Sequence, residues 1–274
     1  MKTILVPLDY SDDSINALNY AVKLAEILKA KIVMLHVFEV PVTVTDMPVV
    51  LMSPDEMETL NNSKMTEIAK DINKTNQVKI EVQSIPGYTV AEIARKIKTI
   101  DADLTVMGIR SVSHLTEVFI GSYSTDVTLK ANHPVLIVPE IAEYKAINKI
   151  LFLTDNTELN HNPSISFLKD VIQILNAELA FLHIATSKEH SETSGLYVSM
   201  DYSDIMRGIK FSSHVIEAED IHEGVNKFMS QFPADLLVTI PHKHSFFERI
   251  RHESNTKKLA FHTPIPMLTL PDNK

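Results

Sequence analysis

Residues 103–139 read DLTVMGIRSVSHLTEVFIGSYSTDVTLKANHPVLIVP, and residues 235–271 read DLLVTIPHKHSFFERIRHESNTKKLAFHTPIPMLTLP. One constant offset, from 103 to 235, overlays the two without a gap. Asp103, Leu104, Val106, Ser113, Ser122, Pro134, Leu136 and Pro139 each meet an identical residue, whereas Gly108 meets Ile240 and Gly121 meets Glu253. Each copy reads as strand, loop, helix and closing strand. Only the first keeps the glycines that let a backbone approach a phosphate. The pattern predicts one working site and one remodelled site.

The repeat extends outward from this segment. ILVPLD at 4–9 is echoed by ILFLTD at 150–155, and IVMLHV at 32–37 by LAFLHI at 179–184. In the first unit, short apolar runs at 3–8 and 31–37 read as buried strands, and 78–82, 104–107 and 135–138 as the remaining three strands. Between them, Ser11 offers an N-cap to a helix with Ile15, Leu18, Val22, Ala25 and Leu28 on one stripe. Ser53-Pro54-Asp55-Glu56 has the capping-box pattern, with a helix expected to about Lys74. A third helix is expected near 90–98 and a fourth from Ser122, while 41–51 reads as a loop. Strands alternating with helices predict a parallel, doubly wound sheet. The polar stretch 140–148 separates the units, giving domains at 1–143 and 147–274, the second shorter around 188–212.

Composition narrows the function classes. The chain of 274 residues is long enough for two small cores, and 45% hydrophobic with 22% charged residues is ordinary for a globular protein. A formal charge of −9 argues against a generic nucleic-acid surface. With no cysteine, disulfides, thiolate metal sites and cysteine nucleophiles are excluded. No apolar run reaches a membrane span, and TILVPL at 3–8 is too short for a signal-peptide core, so a cytoplasmic protein is expected. His242 and His244, with His252 and His262 nearby, lack carboxylates at ligand spacing and read as structural or solvent-facing.

In an open parallel sheet, ligands settle at the carboxyl ends of the strands where strand order reverses. Pro7-Leu8-Asp9, Val37 and Met107-Gly108 should converge there. Gly121-Ser122-Tyr123-Ser124 opens the following helix, whose free amides and positive dipole end suit a phosphate.

Gly108, two residues, Ser111, nine residues and Gly121-Ser122 together resemble the nucleotide-binding signature of the universal stress protein family, with Ser111 standing where the family pattern has glycine. Asp9, the LHV at 35–37 and PVLIVP at 134–139 strengthen the resemblance, which covers almost the whole chain as two tandem domains. It implies strand order 3-2-1-4-5 in each domain and a site for ATP with magnesium in the first. By position, Pro7, Leu8, Asp9 and Val37 would line the adenosine side. Met107, Gly108 and Arg110 would sit by the ribose and phosphates, and Ser111, Gly121, Ser122, Tyr123 and Ser124 would cradle the phosphates. The resemblance also implies pairing through the last strand of each domain, an intramolecular pseudo-dimer that removes two apolar edges and leaves a homodimer open.

In the second unit Leu153 replaces Pro7 and both signature glycines are gone, so no ATP is expected there. Phe246 and Phe247 would fill the vacated pocket. Three functions stay open. The first is a stress-response nucleotide binder whose second domain is structural or binds an unidentified protein partner. The second is a slow ATPase, although no G-x-x-x-x-G-K loop is present. The third is a scaffold acting through its surface alone.

Overall fold

The fold is that of a computed structural model, which describes residues 1–40, 52–109, 122–154, 163–186, 202–240 and 264–272. Five strands belong to the first half: β1 (Thr3–Pro7), β2 (Lys31–Phe38), β3 (Ile80–Pro86), β4 (Leu104–Ile109) and β5 (Val135–Pro139). Five belong to the second: β6 (Lys149–Thr154), β7 (Glu178–Thr186), β8 (Phe211–Ala218), β9 (Leu236–Thr239) and β10 (Met267–Thr269). They form one sheet in the order β3-β2-β1-β4-β5-β10-β9-β6-β7-β8. The first half thus has the expected 3-2-1-4-5 order and the second its mirror. Pairing is parallel within each half and antiparallel at the junction, where Leu136 faces Leu268.

Side-chain alternation along each strand buries both faces of the sheet. Ile4, Val6, Leu136, Ile150 and Phe152 pack on one face, under helices α1 (Asp12–Leu28), α2 (Pro54–Ile72) and α5 (Pro163–Leu175). Leu5, Leu35, Ile137, Leu151 and Met267 pack on the other, under α3 (Thr89–Thr99), α4 (Ser122–Ala131) and α6 (Ile221–Gln231). Both clusters run across the junction, so the halves share their cores.

Local chemistry sets the helix ends. The Ser11 side chain accepts from the Ser14 amide, and Asp12 and Asp13 sit at the positive end of α1. Ser53 and Glu56 close a capping box around Pro54. Helix α2 ends at Ile72, with Asn73 as its C-cap, two residues short of the expected Lys74. Strand β3 begins at Ile80 and reaches Pro86, later than the 78–82 expected, because its register with β2 runs through Ser84 to Pro86. Val78 is buried but lies before the ladder. The expected loop at 41–51 lies outside the described residues.

The repeat carries matching hydrogen bonds. The Asp103 carboxylate accepts from the Lys2 and Thr3 amides at 2.7 and 2.9 Å, and Asp235 accepts from the Asn148 and Lys149 amides at 2.8 and 2.9 Å. Each aspartate ties the start of its unit's first strand to the start of its fourth. Asn16 on α1 donates to the Pro139 and Ala142 carbonyls, both at 3.0 Å, while Ser164 on α5 donates to Pro271 at 2.8 Å. Asp103→Ala removes a charged acceptor from two amides and is expected to cost about 2 kcal/mol, read as a lower urea midpoint. A midpoint equal to that of the parent would contradict the clamp.

Under β6 and β7 in the second half, Tyr202 and Met206 are buried in the core cluster on that face of the sheet. The Tyr202 ring stacks on Phe181 at 4.1 Å, and its hydroxyl lies 3.0 Å from the Thr154 hydroxyl.

Candidate functional site

A cavity of about 320 Å³ opens at the carboxyl ends of β1, β2 and β4, where β1 is flanked by β2 on one side and β4 on the other. Its size lies within the range of small-molecule sites, roughly 300–1,000 Å³. Eight of the twelve residues expected at the site line it: Pro7, Leu8, Asp9, Val37, Met107, Gly108, Tyr123 and Ser124. Ser122 opens α4 beside them. Arg110, Ser111 and Gly121 lie outside the described residues.

Sequence reasoning missed Asp13, Ser14, Leu35, Thr89, Ile93 and Ile109, which complete the lining. Two of these had a readable signal. Leu35 lies two residues before Val37 on one strand and so must face the same way, and Asp13 is in the first turn of the helix that follows β1. Thr89 and Ile93 come from α3, whose approach to β2 is a tertiary matter.

The β1–α1 turn is organised by Asp9. Its carboxylate accepts from the Ser11 amide at 3.0 Å and from the Ser11 hydroxyl. Burial raises the affinity of this carboxyl for a proton, but hydrogen bonds from Ser11 and Ser14 outweigh it and hold Asp9 below the usual aspartate range. Ser11, not Asp9, caps α1. Between them Tyr10 adopts a left-handed backbone with φ of 67°, rare for an aromatic residue and common where strain is kept at a functional site.

Gly108 lines the cavity and also has a packing role. A Cβ there would lie 2.2 Å from the Asp13 carbonyl oxygen and 2.5 Å from its carbon. The space is taken by the first turn of α1, so this glycine lets helix and strand close together and thereby brings Asp13 and Ser14 to the cavity. The Ser124 hydroxyl donates to the Gly108 carbonyl at 3.2 Å, which ties the start of α4 to the end of β4.

The universal stress protein family matches residues 1–139, just over half of the chain. The chain belongs to the universal stress protein family. A universal stress protein of Methanocaldococcus jannaschii is 31% identical over 156 residues, spanning 50% of this chain and 94% of the relative. One from Bacillus subtilis is 33% identical over 143 residues, covering 49% and 97%. These relatives have the length of one unit of the repeat. A universal stress protein structure from Archaeoglobus fulgidus matches the whole fold instead, with a TM-score of 0.73 at 18% identity over 98% of both chains. A functionally unknown protein of Pseudomonas aeruginosa matches with a TM-score of 0.60 at 15% identity, over 100% of this chain and 94% of that one.

The second half of this universal stress protein is built differently at the matching place. Ile240 stands where Gly108 does and is buried. Residues 155–162 and 241–263, including Phe246, Phe247 and the histidines 242, 244, 252 and 262, lie outside the described residues. Among the described residues no helix is long and apolar enough to cross a membrane.

Proposed function

We propose that this universal stress protein is a cytoplasmic nucleotide-binding protein of the stress response, with ATP held in the first half. The second half serves a structural or partner-binding role. The division would fall between residues 143 and 147, and the antiparallel β5–β10 pairing supports its reading as an internal pseudo-dimer.

One observation carries the reading: a cavity at the strand-order reversal is walled by Leu35, Val37, Met107 and Ile109, with the start of α4 at its mouth. Its apolar walls suit a base and sugar. Asp9 and Asp13 offer acceptors to hydroxyl or amino groups and would repel a bare phosphate. The phosphates would therefore point toward the amides at the start of α4, where Arg110, Ser111 and Gly121 adjoin in sequence. Among the described residues no group of three or more histidines or carboxylates is placed to hold a metal ion. Magnesium would enter as the counter-ion of the phosphates.

The test is an ATP titration of the full chain and of Val37→Trp, which puts an indole into the cavity without touching the strand ladder. The variant is expected to bind about 100-fold more weakly, some 2.7 kcal/mol, with an unchanged thermal midpoint. Equal affinity for the two proteins would remove the cavity from consideration as the nucleotide site.

A further inference from the structure

We propose that His36 is a positioning residue for this site: from the sheet face opposite the cavity it holds the Leu8 carbonyl, and with it the turn that presents Asp9. The observations are backbone and ring geometry. The β1–β2 ladder ends at the pair Pro7–Leu35, and the Leu8 amide donates to the Leu35 carbonyl at 2.8 Å. The Leu8 carbonyl lies one residue past that ladder, where no strand amide serves it. His36 Nδ1 stands 2.7 Å away. A carbonyl oxygen only accepts, so Nδ1 carries the proton and donates.

The ring itself is fixed. His36 alternates with Leu35 and Val37, which line the cavity, and so projects to the other face. There its centroid lies 4.7 Å from that of Tyr10 and 6.4 Å from that of Phe38, the latter stacked at 15°. Tyr10 is held in turn. Lys64 Nζ sits 3.6 Å over its ring, and its hydroxyl reaches the Asn61 carbonyl at 3.4 Å. Asp9 is thus the one residue between two anchored neighbours, Leu8 by its carbonyl and Tyr10 by its ring. The left-handed backbone of Tyr10 is kept by these contacts and aims the Asp9–Ser11 turn. In the second half His183 Nδ1 lies 3.1 Å from the Thr154 carbonyl, which supplies an internal control remote from the cavity.

The experiment follows the Asp9 carboxyl by NMR through a pH titration, and ATP affinity in parallel, for the full chain and four variants. His36→Leu is expected to move the Asp9 midpoint up toward an ordinary aspartate and to weaken ATP about tenfold, the worth of one positioning hydrogen bond. His36→Asn places an amide nitrogen close to Nδ1 and is expected to keep both values. His36→Gln, whose nitrogen reaches the place of Nε2, should behave like leucine and serves if the leucine variant folds poorly. His183→Leu should lower the thermal midpoint alone.

The affinity arm rests on the nucleotide reading, but the Asp9 midpoint does not. If the parent chain binds no ATP, that reading fails while the midpoint still decides the role of His36. An Asp9 midpoint identical in the asparagine, glutamine and leucine variants overturns the proposal.

Discussion

Gly108→Ala is expected to destabilise the chain by about 3 kcal/mol, the upper end of what overpacking a rigid core costs. The clash is with backbone: the new methyl would sit 2.2 Å from the Asp13 carbonyl oxygen, with the Asp13 carbon and the Ser14 nitrogen within 3.0 Å. No side chain can swing aside, so α1 must move as a unit or break its first turn. Either response displaces Asp13 and Ser14 from the cavity and strains Asn16, which holds the Pro139 and Ala142 carbonyls one turn further on. Stability and nucleotide affinity should therefore fall together. Gly208→Ala is the matched control, since a Cβ there meets nothing within 4 Å and only the φ of +85° resists it; about 1 kcal/mol is expected. Urea unfolding of the two variants measures the difference. A Gly108→Ala protein within 0.5 kcal/mol or so of the parent would show that α1 and β4 are not in rigid contact.

Lowering the pH from about 6.5 to about 4 is expected to cost roughly 3 kcal/mol of stability through His133 alone. This imidazole is 9% exposed, and its Nε2 has no hydrogen-bond partner among the described residues. Burial drives its pKa from the ordinary 6.5 down to about 4, against the opposing pull of Asp103 and Asp101. The folded chain thus binds this proton less readily than the unfolded chain. The neutral ring costs nothing extra above 6.5, and stability falls as the pH drops from the unfolded to the folded value. Below about 4 the contribution is fully lost. His133→Ile copies the residue at the matching position of the second half, Ile265, and should flatten this part of the stability profile. The profiles are compared by urea unfolding at steps between pH 7 and 4. An unchanged slope in the variant would assign the acid sensitivity to other groups.

Much of this architecture was legible in the residues. Both strand-one echoes, the Ser11 and Ser53 caps and the apolar closing strands each have a local signature, and each lies where its signature placed it. The family resemblance also implied the edge pairing, which spares Val135–Val138 and Met267–Leu270 from standing as two exposed apolar strands. What escaped was tertiary. Strand β3 lies at a sheet edge, where half-exposed Glu81 and Gln83 blur its pattern. Strand β8 at the other edge has only half-buried and exposed positions. Tyr202 and Met206 are buried at a turn that has no periodicity to read. At the site, residues at strand ends were recognisable from topology, whereas Thr89 and Ile93 enter because α3 leans over β2.

Gly108 shows a packing demand that the sequence pattern does not display. A glycine at a strand exit invites the view that a ligand needs the room. The room is used by α1, and in the second half the matching position carries the buried Ile240. The halves therefore differ at the end of the fourth strand, as well as in the signature residues of the sequence.

The central claim is that one nucleotide binds per chain, in the first half. It is tested most directly by calorimetric titration of the full chain with ATP, read as stoichiometry and repeated with Val37→Trp. The account predicts one equivalent bound by the parent chain and its loss in the variant. Two equivalents, none, or one that survives the tryptophan would contradict it.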